Sequence, residues 1–366
     1  MFEIHEDEEF KKDFLSTLDV SEKEEIENQF FFNEIIEVKS NSANKYNSLL
    51  ILFRILMGNI KIVYKDSLII QPNNSMSKAL DIQIVTNESK ELEEELFDES
   101  EELEEDKYYK IENMKLFIND FFDSNTKSSL LENEYNYNIN YFDTILNEIL
   151  QYYYYEDKSN HFSAFLHLYR VYEYVSYLFP LSYIQNTREY THSYKELQKF
   201  FSEKGEELSF LNMFIKKTFL PSDYIIDEMY KESYKLELNG EDNNFLKEEL
   251  SSFLNTFNQI QKNKKSNYLT KDIKIPKKDF NIEEFNTHLN EDDKILIINT
   301  MDVNDLLIKL RNKTCHLKIN HGDSLVFSSY MFDDLYKIMN PIFINWISNI
   351  LKFTTHTSSK RFLKIE

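Results

Sequence analysis

Residues Arg311-Asn312-Lys313-Thr314-Cys315-His316 put a permanent cation, a side-chain amide and an imidazole within six positions. An imidazole exchanges a proton near neutral pH, whereas a guanidinium keeps its charge and offers a planar fork of donors suited to an oxyanion. Together they could hold an anion and move a proton with no metal present. Asn312 would orient the anion or the ring through its amide, and Lys309, Lys313 and Lys318 add positive charge around the pair. Plainer readings exist: Arg311 complements the negative end of a helix dipole, and His316 serves as a turn residue. His316, His321 and Asp323 lack a recognisable metal-ligand spacing, and Cys315 has no positioned base beyond its neighbour His316. Neither a metal nor a cofactor is expected. Arg188 and His192 read as a surface pair, and His161 and His167, about 120° out of line on a helix, as core or surface histidines.

The elements that must position this set are legible around it. Val303, Leu306, Leu307 and Leu310 form one apolar helical face, which places Arg311 near the end of a packed helix. Gly322, Asp323 and Ser324 then supply a stop and an N-cap. Met331, Leu335, Ile338, Ile342, Trp346 and Ile350 continue a second helical stripe, broken or kinked at Pro341. The unit is helix, polar turn, helix. Positions five apart stand about 140° apart round an ideal helix, so Arg311 and His316 converge only if the helix ends between them or two protomers share the site.

The rest of the chain narrows the class. Its 366 residues suffice for two or three domains, and only four are glycine, isolated at Gly58, Gly205, Gly240 and Gly322. No glycine-rich phosphate cradle can be written, which excludes the common dinucleotide and Walker-type sites. With five prolines, 30 Phe and 24 Tyr, a mostly helical, aromatic-rich chain is expected. The formal charge of -22 repels nucleic acid and anionic membrane, so any nucleic-acid site must be a local basic patch. Half of that excess sits in Glu91–Asp106, where 11 of 16 residues are acidic. This segment reads as a solvated linker or the outer face of a helix, and Lys262–Lys278, with seven lysines, as a solubilising connection. One cysteine, an acidic start and no long apolar run point to a cytoplasmic protein with no membrane partner.

Along the chain, residues 1 to about 45 are helix-compatible and Asn47–Met57 predicts a buried helix. Lys61–Tyr64, Ser67–Ile70 and Asp81–Val85 predict a small sheet. Phe142, Ile145, Leu146, Ile149 and Leu150 mark one core helix; Phe162, Phe165, Leu166, Tyr169, Tyr172 and Leu178 mark another, ending before Pro180. Tyr194–Phe201, Leu208–Phe219 and Phe245–Ile260 read as further helical segments.

The Arg-polar-x3-His order at Arg311–His316, near the end of a helix, resembles the motif of the HEPN superfamily, helical-bundle proteins with ribonuclease members. The resemblance extends loosely over Tyr141–Phe353, with His161–Leu178, including Tyr169-Arg170-Val171-Tyr172-Glu173, as the first bundle helix. Residues 1–110 lie outside the resemblance; taken with the spacing and charge pattern of that part, the expected fold is mainly α, with an N-terminal α+β sensing or partner-binding region (1–87), an acidic linker (88–110), and a HEPN-like helical domain with insertions (111–366). The resemblance further implies a metal-independent endoribonuclease, a toxin or antiviral-defence effector, with Arg311 on the scissile phosphate, Asn312 orienting and His316 as acid or base. RNA is the implied substrate, with Lys309, Lys313 and Lys318 as its contacts and Glu173 as a buried polar support. A homodimer with a composite site and an inhibitory or activating protein partner complete the expectation. The alternative is a bundle without activity that binds RNA or a protein, or that only dimerises.

Overall fold

The computed structural model describes residues 2–38, 47–64, 68–70, 72, 99–123, 128–186, 198, 233–237, 254–255, 257–258, 287–289, 295–315 and 329–355. Most of these are helical. The chain divides into two compact units: Met1–Leu80, Glu93–Asn186 and Ile344–Arg361 form the first, and Asp81–Leu92, Thr187–Phe343 and Phe362–Glu366 the second.

The first unit opens on strand β1 (Phe2–Glu6), followed by helices α1 (Glu8–Ser16) and α2 (Val20–Phe30), β2 (Ile36–Val38), α3 (Ser48–Leu56), β3 (Ile60–Tyr64) and β4 (Leu68–Ile70). The four strands make an antiparallel sheet in the order β2-β1-β3-β4, with Ile4 opposite both Ile36 and Ile62. Phe2, Ile4, Ile36, Val38, Ile62 and Ile70 are buried, while Glu37 and Ile69 on the other face are exposed, as the two-residue period of a strand requires. The sheet therefore begins earlier than expected. Five residues of alternation in Phe2-Glu3-Ile4-His5-Glu6 are too few to announce a strand beside so many charges, and β1 is fixed by its partners on both sides. The strands expected at Lys61–Tyr64 and Ser67–Ile70 are present as the paired β3 and β4; Asp81–Val85 lies outside the described residues.

Helix α3 is buried along nearly its whole length and is capped at both ends. Asn47 Oδ1 accepts from the backbone N–H groups of Leu49 and Leu50, each at 3.0 Å. At the other end Gly58 takes a positive φ of 69°, so that its N–H reaches Ile55 O and the N–H of Asn59 reaches Arg54 O, a Schellman ending. This turn carries Asn59 back to the Arg54 side chain, which is wholly buried. Arg54 Nη1 and Nη2 donate to the two oxygens of Glu6, the latter at 2.9 Å, and Nε donates to Asn59 Oδ1 at 3.0 Å. Phe30 O and Asn59 O accept the remaining donors at 2.9 and 3.2 Å. The guanidinium also lies 4.8 Å from the centre of the Phe31 ring and 5.2 Å from that of Phe32. Burial of a charge is tolerable here because every face of it is answered.

Three long helices complete this unit's middle: α4 (Glu99–Phe121), α5 (Leu130–Asp157, kinked at Asn138) and α6 (His161–Asn186), with a two-residue ladder of β5 (Phe122–Asp123) and β6 (Ser128–Ser129) between α4 and α5. Phe142, Ile145, Leu146, Ile149 and Leu150 are buried as their spacing predicts. Helix α6 runs past Pro180 to Asn186 rather than ending before it. The division between units also departs from boundaries at 88 and 110: α4 crosses 110 as one helix, and α5 and α6 fall with the N-terminal sheet. The reason is packing. Phe117 of α4 meets Phe30 and Phe53 at ring separations of 6.1 and 5.5 Å, and Ser48 Oγ on α3 donates to Asp143 on α5.

In the second unit β7 (Ser233–Glu237), β8 (His288–Leu289) and β9 (Ile295–Asn299) form a sheet in the order β7-β9-β8. Helix α7 (Thr300–Cys315) follows β9 directly, and α8 (Ser329–Thr355) carries the chain across the division at Phe343–Ile344. Pro341 sits inside α8 and is exposed, and the helix is unbroken there. Leu335, Ile342, Trp346 and Ile350 are buried on its stripe.

Candidate functional site

Helix α7 bears the Arg-Asn pair, and its local sequence explains how it is held. Val303, Leu306, Leu307 and Leu310 are all buried, so the face predicted to be apolar is the one that packs. Its first turn is pinned by polar contacts: Thr287 Oγ1 donates to Asp302 Oδ2 at 2.9 Å, and Asn258 Nδ2 donates to Thr287 O at 2.6 Å. Asp302 in that turn also sits where the helix dipole favours an anion. Anchored there, α7 projects its C-terminal part with Arg311 half-buried and Asn312 exposed.

Arg311 Nη1 donates to Asn312 Oδ1 at 3.1 Å, so two of the sequence-predicted residues are brought together, the amide bracing one edge of the guanidinium fork. Lys309 does not point to the same use: its ammonium lies 5.0 Å from the centre of the Phe257 ring, a cation-π contact with a buried aromatic. Lys313 belongs to α7 by its backbone, while His316, Lys318, His321 and Asp323 lie outside the described residues. Tyr194–Phe201, apart from Gln198, and the whole of Leu208–Phe219 and Lys262–Lys278 lie outside them too. Glu173 belongs to α6 in the first unit, half-buried, with its backbone carbonyl accepting from Ser176 Oγ at 2.6 Å. Among the described residues no group of three His, Cys, Asp or Glu side chains could hold a metal ion, and no helix is long and apolar enough to cross a membrane.

Two histidines read from the sequence as bland have carboxylate partners. His161 Nδ1 stands 2.8 Å from Glu156 Oε2, and His167 Nδ1 stands 2.7 Å from Glu148 Oε2. Periodicity within one helix could not have shown the second, because Glu148 is on α5 and His167 on α6. No protein-family model, no curated protein and no solved structure matches this chain.

Proposed function

We propose that this protein is a metal-independent endoribonuclease of HEPN-like type, a cytoplasmic toxin or antiviral-defence effector acting as a homodimer. The observation that carries the reading is Arg311 braced by Asn312 on a helix whose other face is buried, with His316 next in the Arg-polar-x3-His order. In this reaction a base removes the proton of a ribose 2'-hydroxyl, the freed oxygen attacks phosphorus, and the 5'-oxygen leaves with a proton from an acid. The products are a 2',3'-cyclic phosphate and a 5'-hydroxyl. His316 is the acid or base, a second protomer supplies the complementary imidazole, and Arg311 holds the non-bridging oxygens as charge builds on them. Lys313 and Lys318 attract the backbone, and the acidic segment or a partner protein restrains the enzyme until it is needed.

A second reading, a helical module that binds RNA or protein without cutting, draws on Lys309 taking an aromatic partner within the fold. Arg311→Lys separates the two, because it keeps the charge and loses the fork. The nuclease reading expects cleavage to fall by about 100-fold or more with RNA affinity little changed. Cleavage equal to wild type would remove Arg311 from the chemistry.

A further inference from the structure

Arg311 can act on a phosphate only if α7 is held at one angle about its own axis. The buried face of Val303, Leu306, Leu307 and Leu310 does not achieve this alone, because apolar contact is non-directional and tolerates a small roll of the helix. Two directional contacts add what that face lacks, and both lead to one short stretch of chain in the second unit. Phe257 and Asn258 are consecutive helical residues there. The Phe257 ring is 1% exposed, and the Lys309 ammonium lies 5.0 Å from its centre. Asn258 Nδ2 donates to Thr287 O, and Thr287 Oγ1 donates in turn to Asp302 Oδ2. Thr287 and Asp302 are both buried, so water does not compete for the second of these bonds.

Asp302 and Lys309 are seven residues apart, which puts them about 10 Å apart along the axis and within about 20° of the same side of α7. Neighbouring residues of one segment thus grip a single side of the helix at two points, one in its first turn and one towards its end. Arg311, two residues beyond Lys309, stands about 200° round, on the side that the grip leaves clear. A helix pinned at one point can still tilt and roll; pinned at two points on one side it does neither. The charge of Lys309 is therefore used inside the fold, to fix the turn that bears the guanidinium fork. We propose, resting on the nuclease reading, that Lys309 and Phe257 are positioning residues of its site, setting with Asn258 and Thr287 the roll of α7 that aims Arg311 at the scissile phosphate.

The test uses the full chain and a labelled RNA oligonucleotide containing a site that the wild type cuts, with single-turnover kinetics to separate the maximal rate from the half-saturating concentration. Lys309→Met keeps the stem and removes the charge; Phe257→Leu keeps an apolar side chain and removes the ring face. Each should lower the maximal rate about tenfold with the half-saturating concentration unchanged. The double variant should fall no further than either single one, because both remove the same contact. Lys309→Arg, which keeps a cation over the ring, should recover most of the rate. Lys309 is only half-buried, so its two variants decide the matter even if Phe257→Leu does not fold. A higher half-saturating concentration at constant maximal rate in Lys309→Met would make Lys309 an RNA contact and overturn the proposal. Wild-type rates in the single variants, additive losses in the double one, or no recovery in Lys309→Arg would overturn it as well, leaving the nuclease reading intact. A folded, unrestrained wild type that cuts no RNA is the separate result that overturns the nuclease reading, and the proposal with it.

Discussion

Replacing Arg54 by Met keeps most of the side-chain volume and removes the charge, so it isolates the worth of the buried network. Arg54 is 0% exposed and the Glu6 side chain 3%, and their bidentate pair is joined by bonds to Asn59 Oδ1, Asn59 O and Phe30 O. In the variant the Glu6 carboxylate keeps the Phe32 N–H at 2.6 Å but loses its counter-charge. Breaking a buried pair from one side costs about 3–5 kcal/mol, and the bereft carbonyls add to it. Against a total stability of about 5–15 kcal/mol the loss is a large fraction. Glu6→Gln combined with Arg54→Met should recover about half, because a neutral amide replaces the stranded charge. Urea unfolding followed by tryptophan fluorescence is a direct assay: the chain has one tryptophan, Trp346, buried and in the same unit as Arg54. A loss below about 1 kcal/mol, or a double variant no better than the single, would refute the reasoning by showing that water serves the pair.

Three further outcomes follow from local features. Ser159→Gly should stabilise the α5–α6 hairpin by about 0.5 kcal/mol in the same unfolding assay, because Ser159 holds a positive φ that glycine adopts without strain. Thr287→Val takes one donor from buried Asp302 at nearly constant shape and should cost about 1–3 kcal/mol, read by denaturant unfolding followed by circular dichroism. Burial first, and the neighbouring Tyr174 second, push the Tyr141 phenol well above its ordinary value of 10.0; burial, then Glu156 and Tyr153, do the same to Tyr152. A raised folded pKa means that the native state keeps these protons while the unfolded chain releases them, so stability falls as pH rises above about 10. Phenolate absorbance should show Tyr141 and Tyr152 ionising only with unfolding.

Helices with a clear apolar stripe were legible in the sequence. The faces of α5 and α7 and the burial of α3 follow from spacing alone, since a 3.6-residue period survives any tertiary context. What spacing could not carry were features decided by contact. Arg54 interrupts an apolar run and reads as a charge to be kept in water, yet Glu6, 48 residues away, answers it in the core. β1 exists because β2 and β3 flank it, and α6 continues through Pro180, where a stop is the local expectation. The grouping of α4 and α5 with the N-terminal sheet follows from aromatic packing around Phe117 and from the Ser48–Asp143 bond, which no composition shift announces. At the candidate site, the Arg311–Asn312 juxtaposition lies between neighbours in sequence and is brought about by α7, whereas the seat of Lys309 on Phe257 depends on a residue 52 positions away.

The measurement that bears most directly on the central claim is cleavage of a mixed RNA pool in EDTA by the wild-type chain and by His316→Ala, with end-group analysis of the products. The proposed nuclease cuts without metal, leaves 2',3'-cyclic phosphate and 5'-hydroxyl ends, and loses this activity in the variant while keeping its fold. Cutting that persists in His316→Ala, or a folded, unrestrained wild-type chain that leaves the pool intact, would contradict the account.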